Sequence, residues 1–385
     1  MEKSDKARLK LLNKAKEGLK KYQRVGLEFA TGTGKTYAAL QMILDDDDLW
    51  DIVVPTTPLI SGWWEEIEKF GLTDKIKDRV NIYCYDSLHK YPPVFHTVNY
   101  IFDEGHRISD NKAKLVEEYL SEESKIIVLS ATINERKRKI LRRLGVNKYL
   151  EFNIDMAVEA DIVPDYELWV YKIPLTDEVY VHPRFKKALS EKSVVAIINK
   201  NIGKYKKEGK WDKLEFWNIW LKQVLSNLRS KERAMQYFIS RVPKEKKTLI
   251  FAANIEQAER LCPNSYHSES KDDSVFQKFL NDEINQLSSV GKIREGINCK
   301  CDIVLMLKAD KSKRNIVQQI GRSLRKTDNE EKKAIAVLMV AEGTKEEEWF
   351  DDYRDQFKNV IDGKINKNLR QSIFAFREAS SLQKG

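Results

Sequence analysis

RVGLEFATGTGKTYAALQMIL, residues 24–44, runs from an apolar stretch through a glycine-rich turn into a helical pattern. A short apolar run bounded by such a turn reads as a buried strand, and AALQMIL (38–44) as the helix that follows it. Backbone N–H groups of a turn opening a helix point at phosphate oxygens, and the helix dipole favours an anion there. Gly32 and Gly34 permit the close approach, Lys35 is placed to neutralise β- and γ-phosphates, and the Thr36 hydroxyl to ligate Mg²⁺; Thr31 and Thr33 complete the loop. Phe29 stands where the general G-x-x-x-x-G-K-[ST] pattern has its first glycine.

Around this loop, apolar strands alternate with helical patterns from Val25 to about Leu150: DIVVP, VNIYCY, NYIFDE and KIIVLSA are strands, ISGWWEEIEKF, AKLVEEYL and ERKRKILRRLG helices. Strands apolar almost throughout imply a parallel sheet covered on both faces. The texture returns at KTLIFAA (247–253), CDIVLMLK and KAIAVLMVAE (333–342), a second and smaller α/β unit. A length of 385 residues suits two domains. The expected boundaries are an N-terminal helix over 1–24, a first domain over 25–155, a basic, mainly helical region over 156–246, a second domain over 247–345 and a short helical tail over 346–385.

No apolar run is long enough to cross a bilayer, and the charged N-terminus has no secretory apolar core, so the expectation is a cytosolic protein. Four scattered cysteines form neither a disulfide framework nor a zinc site. Net charge is +9, unevenly spread: His182 to Lys247 holds 18 Lys and Arg against 6 Asp and Glu, leaving the remainder slightly acidic. A solvated helix face is the bland account of a basic stretch; an excess this steep favours phosphate backbones instead. Trp217 and Trp220, three apart, share a helix face and are expected to pack a core seam, with base stacking the alternative.

Two further clusters narrow the chemistry. NYIFDEGH (99–106) ends a strand in adjacent acids, and ligands in open parallel sheets sit beyond the carboxyl ends of strands. Asp103 is therefore placed to hold Mg²⁺ and Glu104 to polarise an attacking water. NIVQQIGRSLRK (315–326) carries Arg322 and Arg325 on one face of a helix, with Gln318 nearby, suited to acting as fingers when two domains close on ATP.

ATGTGKT, DEGH, LSAT and QQIGRSLR, in that order, resemble motifs I, II, III and VI of superfamily 2 helicases and translocases. VVPTTPLISGWWEEI resembles motif Ia, KTLIFAANIEQAERL motif IV and VGKIREGIN motif V. The forms of motifs V and VI are similar to those of restriction-enzyme motor subunits, excision-repair helicases and phage branched-DNA helicases. The resemblance implies two RecA-like domains with ATP between them and Mg²⁺ as its companion. It implies that Ser130 and Thr132 couple hydrolysis to movement, that His106 bridges to Gln318, and that Gly296 and Asn298 lie at the nucleotide. Thr56 and Thr57 are expected on phosphates of the tracking strand. Gly105 departs from the usual Ala or Cys, and no L-x-x-Y-Q glutamine stands upstream of the loop to read adenine.

The expected function is an ATP-dependent DNA helicase or translocase, monomeric, with DNA preferred over RNA and region 182–247 in contact with it. An RNA helicase, or a duplex-DNA translocase or branched-DNA remodeller without processive unwinding, would share the same motor. A P-loop kinase would leave the SAT and QxxGRxxR elements unexplained. The Lys/Asn/Ile-rich composition suits a phage or mobile-element protein from an A·T-rich genome, expected in the bacterial or phage-infected host cytosol.

Overall fold

A computed structural model describes residues 2–45, 47–90, 99–163, 165–182, 185–270, 272–290, 301–309, 316–317, 319–320, 334–357 and 359–363. The chain divides into two compact units, residues 1–163 and the described residues beyond them.

In the first unit, α1 (Lys3–Tyr22) leads into β1 (Arg24–Phe29), α2 (Lys35–Ile43), β2 (Trp50–Val54), α3 (Pro58–Lys69), α4 (Thr73–Ile76) and β3 (Val80–Cys84). Then follow β4 (Asn99–Phe102), α5 (Asp110–Glu117), β5 (Ile126–Ser130), α6 (Glu135–Arg143), β6 (Lys148–Phe152) and α7 (Ile154–Glu159). The six strands form one sheet in the order β3-β2-β4-β5-β1-β6, every pair parallel. β5 is buried at all five positions, as a strand covered on both faces must be. The helices start where short polar side chains satisfy free N–H groups: Ser109, Asn134 and Asn153 each accept from a backbone N–H three residues on.

Glycines in this sheet make room for neighbours. A Cβ at Gly26 of β1 would lie 2.4 Å from the ring of Tyr149, its partner on β6. That ring carries the Arg138 guanidinium at 4.3 Å, and Arg138 also bonds Glu28 at 2.6 Å, tying α6 to β1.

The second unit contains β7 (Tyr166–Ile173), the two-stranded β8 (Tyr180–His182) and β9 (Lys187–Leu189), then α8 (Glu191–Lys207), α9 (Trp211–Ser226) and α10 (Arg229–Ile239). It continues with β10 (Thr248–Phe251), α11 (Ile255–Leu261), β11 (Ser265–Tyr266), α12 (Ser274–Leu280), β12 (Gln286–Ser289), β13 (Ile303–Met306), β14 (Ala334–Ala341), a helix Lys345–Asp351 and β15 (Val360–Gly363). Seven strands make a parallel sheet ordered β11-β12-β10-β13-β14-β7-β15.

Two boundaries differ from the sequence reading. Residues 156–246 were expected outside both sheets, yet β7 lies inside the second one, paired along its whole length with β14. Its burial is the physical reason: six of its eight residues are buried, more than a lone extended linker could achieve. The tail was expected to be helical from 346; after Lys345–Asp351 the chain instead adds β15 to the free side of β7, and residues beyond 363 lie outside the described set.

The second unit's core spans β7, β10, β13 and β14 with α10 and α11 packed on them. Deep within this unit, Lys231 of α10 and Glu346 are both fully buried and bonded at 2.7 and 2.9 Å. Glu346 also accepts from the backbone N–H of Ala309 and Ala341, at 2.9 Å each. Burial pushes the Glu346 carboxyl up and the Lys231 ammonium down from their ordinary values; the pairing opposes both shifts, and the two N–H donors oppose that of Glu346.

Candidate functional site

The candidate phosphate loop is built where β1 stops and α2 starts. β1 ends at Phe29, whose ring is buried edge-on to Phe152 at 6.3 Å between centroids, so the position lacking a glycine serves the core. Gly32 and Gly34 have φ of +80° and +90°, the left-handed region open to glycine. Thr33 donates its hydroxyl to Ala30 O at 2.7 Å, closing the turn, and Lys35 Nζ donates to Phe29 O and Ala30 O at 3.0 and 3.3 Å. Thr31 Oγ1 is buried with no hydrogen-bond partner among the described residues. Left-handed glycines, a buried hydroxyl awaiting a partner and a lysine at the first turn of α2 together fit a phosphate chain.

Neighbouring strands bring the other groups to the same edge. β1, β5 and β4 are adjacent, so the loop and the acids after β4 stand two strand spacings apart, about 10 Å, with Ser130 between them. Asp103 is held from three sides. Its Oδ2 accepts from Trp63 Nε1 at 3.0 Å, its Oδ1 from the Glu104 N–H at 2.9 Å, and its backbone carbonyl from the Tyr85 hydroxyl at 3.0 Å. Burial foremost, then the charges of Asp103 and Glu104, hold the Tyr85 hydroxyl well above its ordinary pKa, so it remains a donor.

Glu104 has φ +47° and ψ +50°, left-handed for a residue with a side chain, a conformation that costs roughly 1–3 kcal/mol. The kink turns its buried carboxylate toward His106, whose Nδ1 lies 3.2 Å from Glu104 Oε2 and 3.1 Å from Ser130 Oγ. Ser130 in turn donates to Thr132 O at 2.9 Å. A carboxylate only accepts, and the Ser130 proton is committed to Thr132, so Nδ1 of His106 carries the proton shared between them. Hydrogen bonds thus run from His106 through Ser130 to Thr132, and the Glu104 carboxylate in contact with His106 extends this chain between the ends of β4 and β5.

Gly105 has a spatial cause. A Cβ there would sit 2.2 Å from Val128 Cγ1. Gly105→Ala is expected to destabilise the first unit by about 1–3 kcal/mol through overpacking. Chemical denaturation of Gly105→Ala and of Gly105→Ala/Val128→Ala checks this: the second change should recover part of the loss, and a single variant as stable as the parent would contradict it.

Thr56 and Thr57 occupy the bend between β2 and α3, also at the carboxyl edge; Thr57 is exposed and Thr56 partly so. Gly296, Asn298, Gln318, Arg322 and Arg325 lie outside the described residues. The structure therefore brings together the loop, the acid pair, His106, Ser130 and Thr132. Sequence reading missed the Trp63 and Tyr85 contacts with Asp103, for which the local pattern holds no signal: Trp63 reads as a core residue, and it is buried. A cleft of about 1000 Å³ is lined wholly by second-unit residues, among them Lys222, Arg229 and Trp349, and takes nothing from the phosphate loop.

Residues 230–327 match the family described as the helicase conserved C-terminal domain. The chain is 22% identical over 349 residues to the DNA 3'-5' translocase XPB2 of Sulfurisphaera tokodaii, spanning 82% of this chain and 77% of that protein. Its fold is similar to S. cerevisiae Dbp5 bound to RNA and ADP BeF3, at 14% identity, 91% and 88% coverage and a TM-score of 0.55. It is similar also to the Pyrococcus furiosus Hef helicase domain, at 14% identity, 90% and 97% coverage and a TM-score of 0.50. With the ordered motifs and two parallel-sheet units in view, the chain is similar to the superfamily 2 helicases and translocases, and residues 230–327 carry the match to their conserved C-terminal domain.

Proposed function

We propose that this chain is an ATP-dependent motor that moves along or remodels DNA. The observation that carries the reading is the chain of contacts from the Glu104 carboxylate to His106 and on by hydrogen bonds through Ser130 to Thr132, set on the same sheet edge as the glycine-rich loop. A lone phosphate loop serves many enzymes; a buried acid wired to the next strand end suits one whose hydrolysis must be felt elsewhere.

In this reading the loop N–H groups and Lys35 hold the β- and γ-phosphates. Thr36 and Asp103 hold Mg²⁺, which when bound neutralises phosphate charge and polarises the γ-phosphoryl group. Trp63 and the Glu104 N–H fix the Asp103 carboxylate in orientation. Glu104 accepts a proton from the attacking water, and His106 Nδ1–H keeps its carboxylate aimed. Arg322, Arg325 and Gln318, with Gly296 and Asn298, are assigned to the nucleotide by their resemblance to motifs V and VI. Thr56, Thr57 and the basic stretch 182–247 grip the polynucleotide. DNA is favoured over RNA because the relative matched by sequence is named a DNA translocase.

ATP turnover measured with single-stranded, duplex and forked DNA and with RNA tests the reading. Stimulation by DNA is expected, and Lys35→Ala should cut turnover on the order of 10²–10³-fold, the usual cost of one donor to developing charge. Absence of stimulation by every polynucleotide, with phosphate transferred to another acceptor, would overturn the proposal in favour of a kinase. The same panel separates an unwinding enzyme from a duplex translocase.

A further inference from the structure

α8 and α9 pack as a helical hairpin, and their burial is lopsided. Val194, Val195 and Ile198 at the start of α8 meet Trp220, Leu221 and Leu225 at the end of α9 in one cluster that includes Ala341 of β14. Between them, from residue 199 to residue 219, no residue is buried. The turn that joins the helices reverses at Gly209, φ +65°, with the Lys210 N–H on Tyr205 O at 3.1 Å. Ile202 is the last residue of α8 packed against that cluster, so five residues of the helix extend past it and the hairpin projects roughly 8 Å, at about 1.5 Å per residue.

A projection of this kind exposes what it carries. Trp211, at the first turn of α9 and next to the tip, is 70% exposed; Phe216 and Ile219, three apart on one side of α9, are 57% and 52% exposed. Residues 199–219 also hold six lysines against three acids. Lys210 bridges to Glu208 at 2.8 Å and Lys213 lies over Tyr205 at 5.4 Å, while Lys200, Lys206 and Lys207 pair with no acid among the described residues. The tryptophans thus divide: Trp220 and Trp217 serve the root and seam, and Trp211 does not.

We infer that this hairpin is a junction probe, which meets the end of a duplex where paired strands separate. Trp211, Phe216 and Ile219 lie against the exposed face of the terminal base pair, and the unpaired lysines contact phosphates of the flanking arms. Flat apolar rings with an excess of lysine match a base pair bordered by phosphates, because stacking tolerates any base and each lysine replaces a counterion. An apolar protein partner would not call for the lysines. This assignment rests on the DNA-motor reading and adds substrate shape to it.

The test uses the full chain, with fluorescently labelled forked and single-stranded DNA of equal length and with ATP turnover on single strands. Trp211→Ala/Phe216→Ala/Ile219→Ala should bind the fork at least tenfold more weakly, with single-strand affinity and single-strand-stimulated turnover within about twofold of the parent. Because the three side chains are exposed, the variant keeps its core. Lys200→Gln/Lys206→Gln/Lys207→Gln should lower the slope of log affinity for the fork against log salt by about 2–3. Unchanged fork affinity in the ring variant overturns the junction probe and leaves the motor standing. A parent whose turnover no DNA stimulates overturns the motor reading itself.

Discussion

Replacing Glu104 by Gln is expected to lower ATP turnover by about 10²–10⁴-fold, the range over which a positioned general base acts. The amide keeps the size and the left-handed backbone of the position, and its oxygen still accepts from His106 Nδ1–H. What it loses is the capacity to take a proton from water. Nucleotide affinity, read from a fluorescent ATP analogue, should therefore stay within a few-fold of the parent. A variant that turns over ATP at a tenth of the parental rate or faster would show that Glu104 is not the base. Ser130→Ala supplies the contrast. It leaves the carboxylate in place but removes the link to Thr132, so it should reduce the stimulation by DNA more than the basal rate.

The second large effect lies far along the chain. Lys231→Met leaves the Glu346 carboxylate fully buried without its cation, and removing one partner of a buried pair costs about 3–5 kcal/mol. Equilibrium denaturation followed by a probe in the second unit should register that loss. Restoring neutrality should not be equally effective in every form. Glu346→Gln in the Lys231→Met background retains an oxygen for the Ala309 or Ala341 N–H, whereas Glu346→Leu orphans both donors, each unmade bond costing about 1–3 kcal/mol. The Met/Gln pair is thus expected to be the more stable. Equal stability of the two double variants would mean that Glu346 serves Lys231 alone.

Much of the fold was legible because its signals are local. VGLEFA, a glycine turn and AALQMIL declare strand, loop and helix within 21 residues, and five apolar runs declare a covered parallel sheet. KYLEF, the strand β6, escaped notice because its exposed and buried positions are mixed, the pattern of an edge strand. The site was legible as a set of residue types: a carboxylate pair behind an apolar strand and a matching phosphate loop. Its wiring was not. Neither the His106 contact with Ser130, 24 residues away, nor the Trp63 contact with Asp103, 40 away, leaves a mark on local periodicity.

FATGTGKT by itself determined a glycine turn between a strand and a helix with the make-up of a phosphate loop, since backbone freedom at Gly32 and Gly34 and a charged Lys35 need no distant partner to be read. The order of motifs carried the resemblance to superfamily 2 helicases and translocases. Only the tertiary structure decided that β7 and β15 belong to the second sheet, that Gly105 answers to Val128, and that Trp211 faces water while Trp220 faces the core. Those outcomes depend on which surfaces meet after the chain has travelled tens of residues, and a period of two or of 3.6 residues says which face of an element is apolar without saying what covers it.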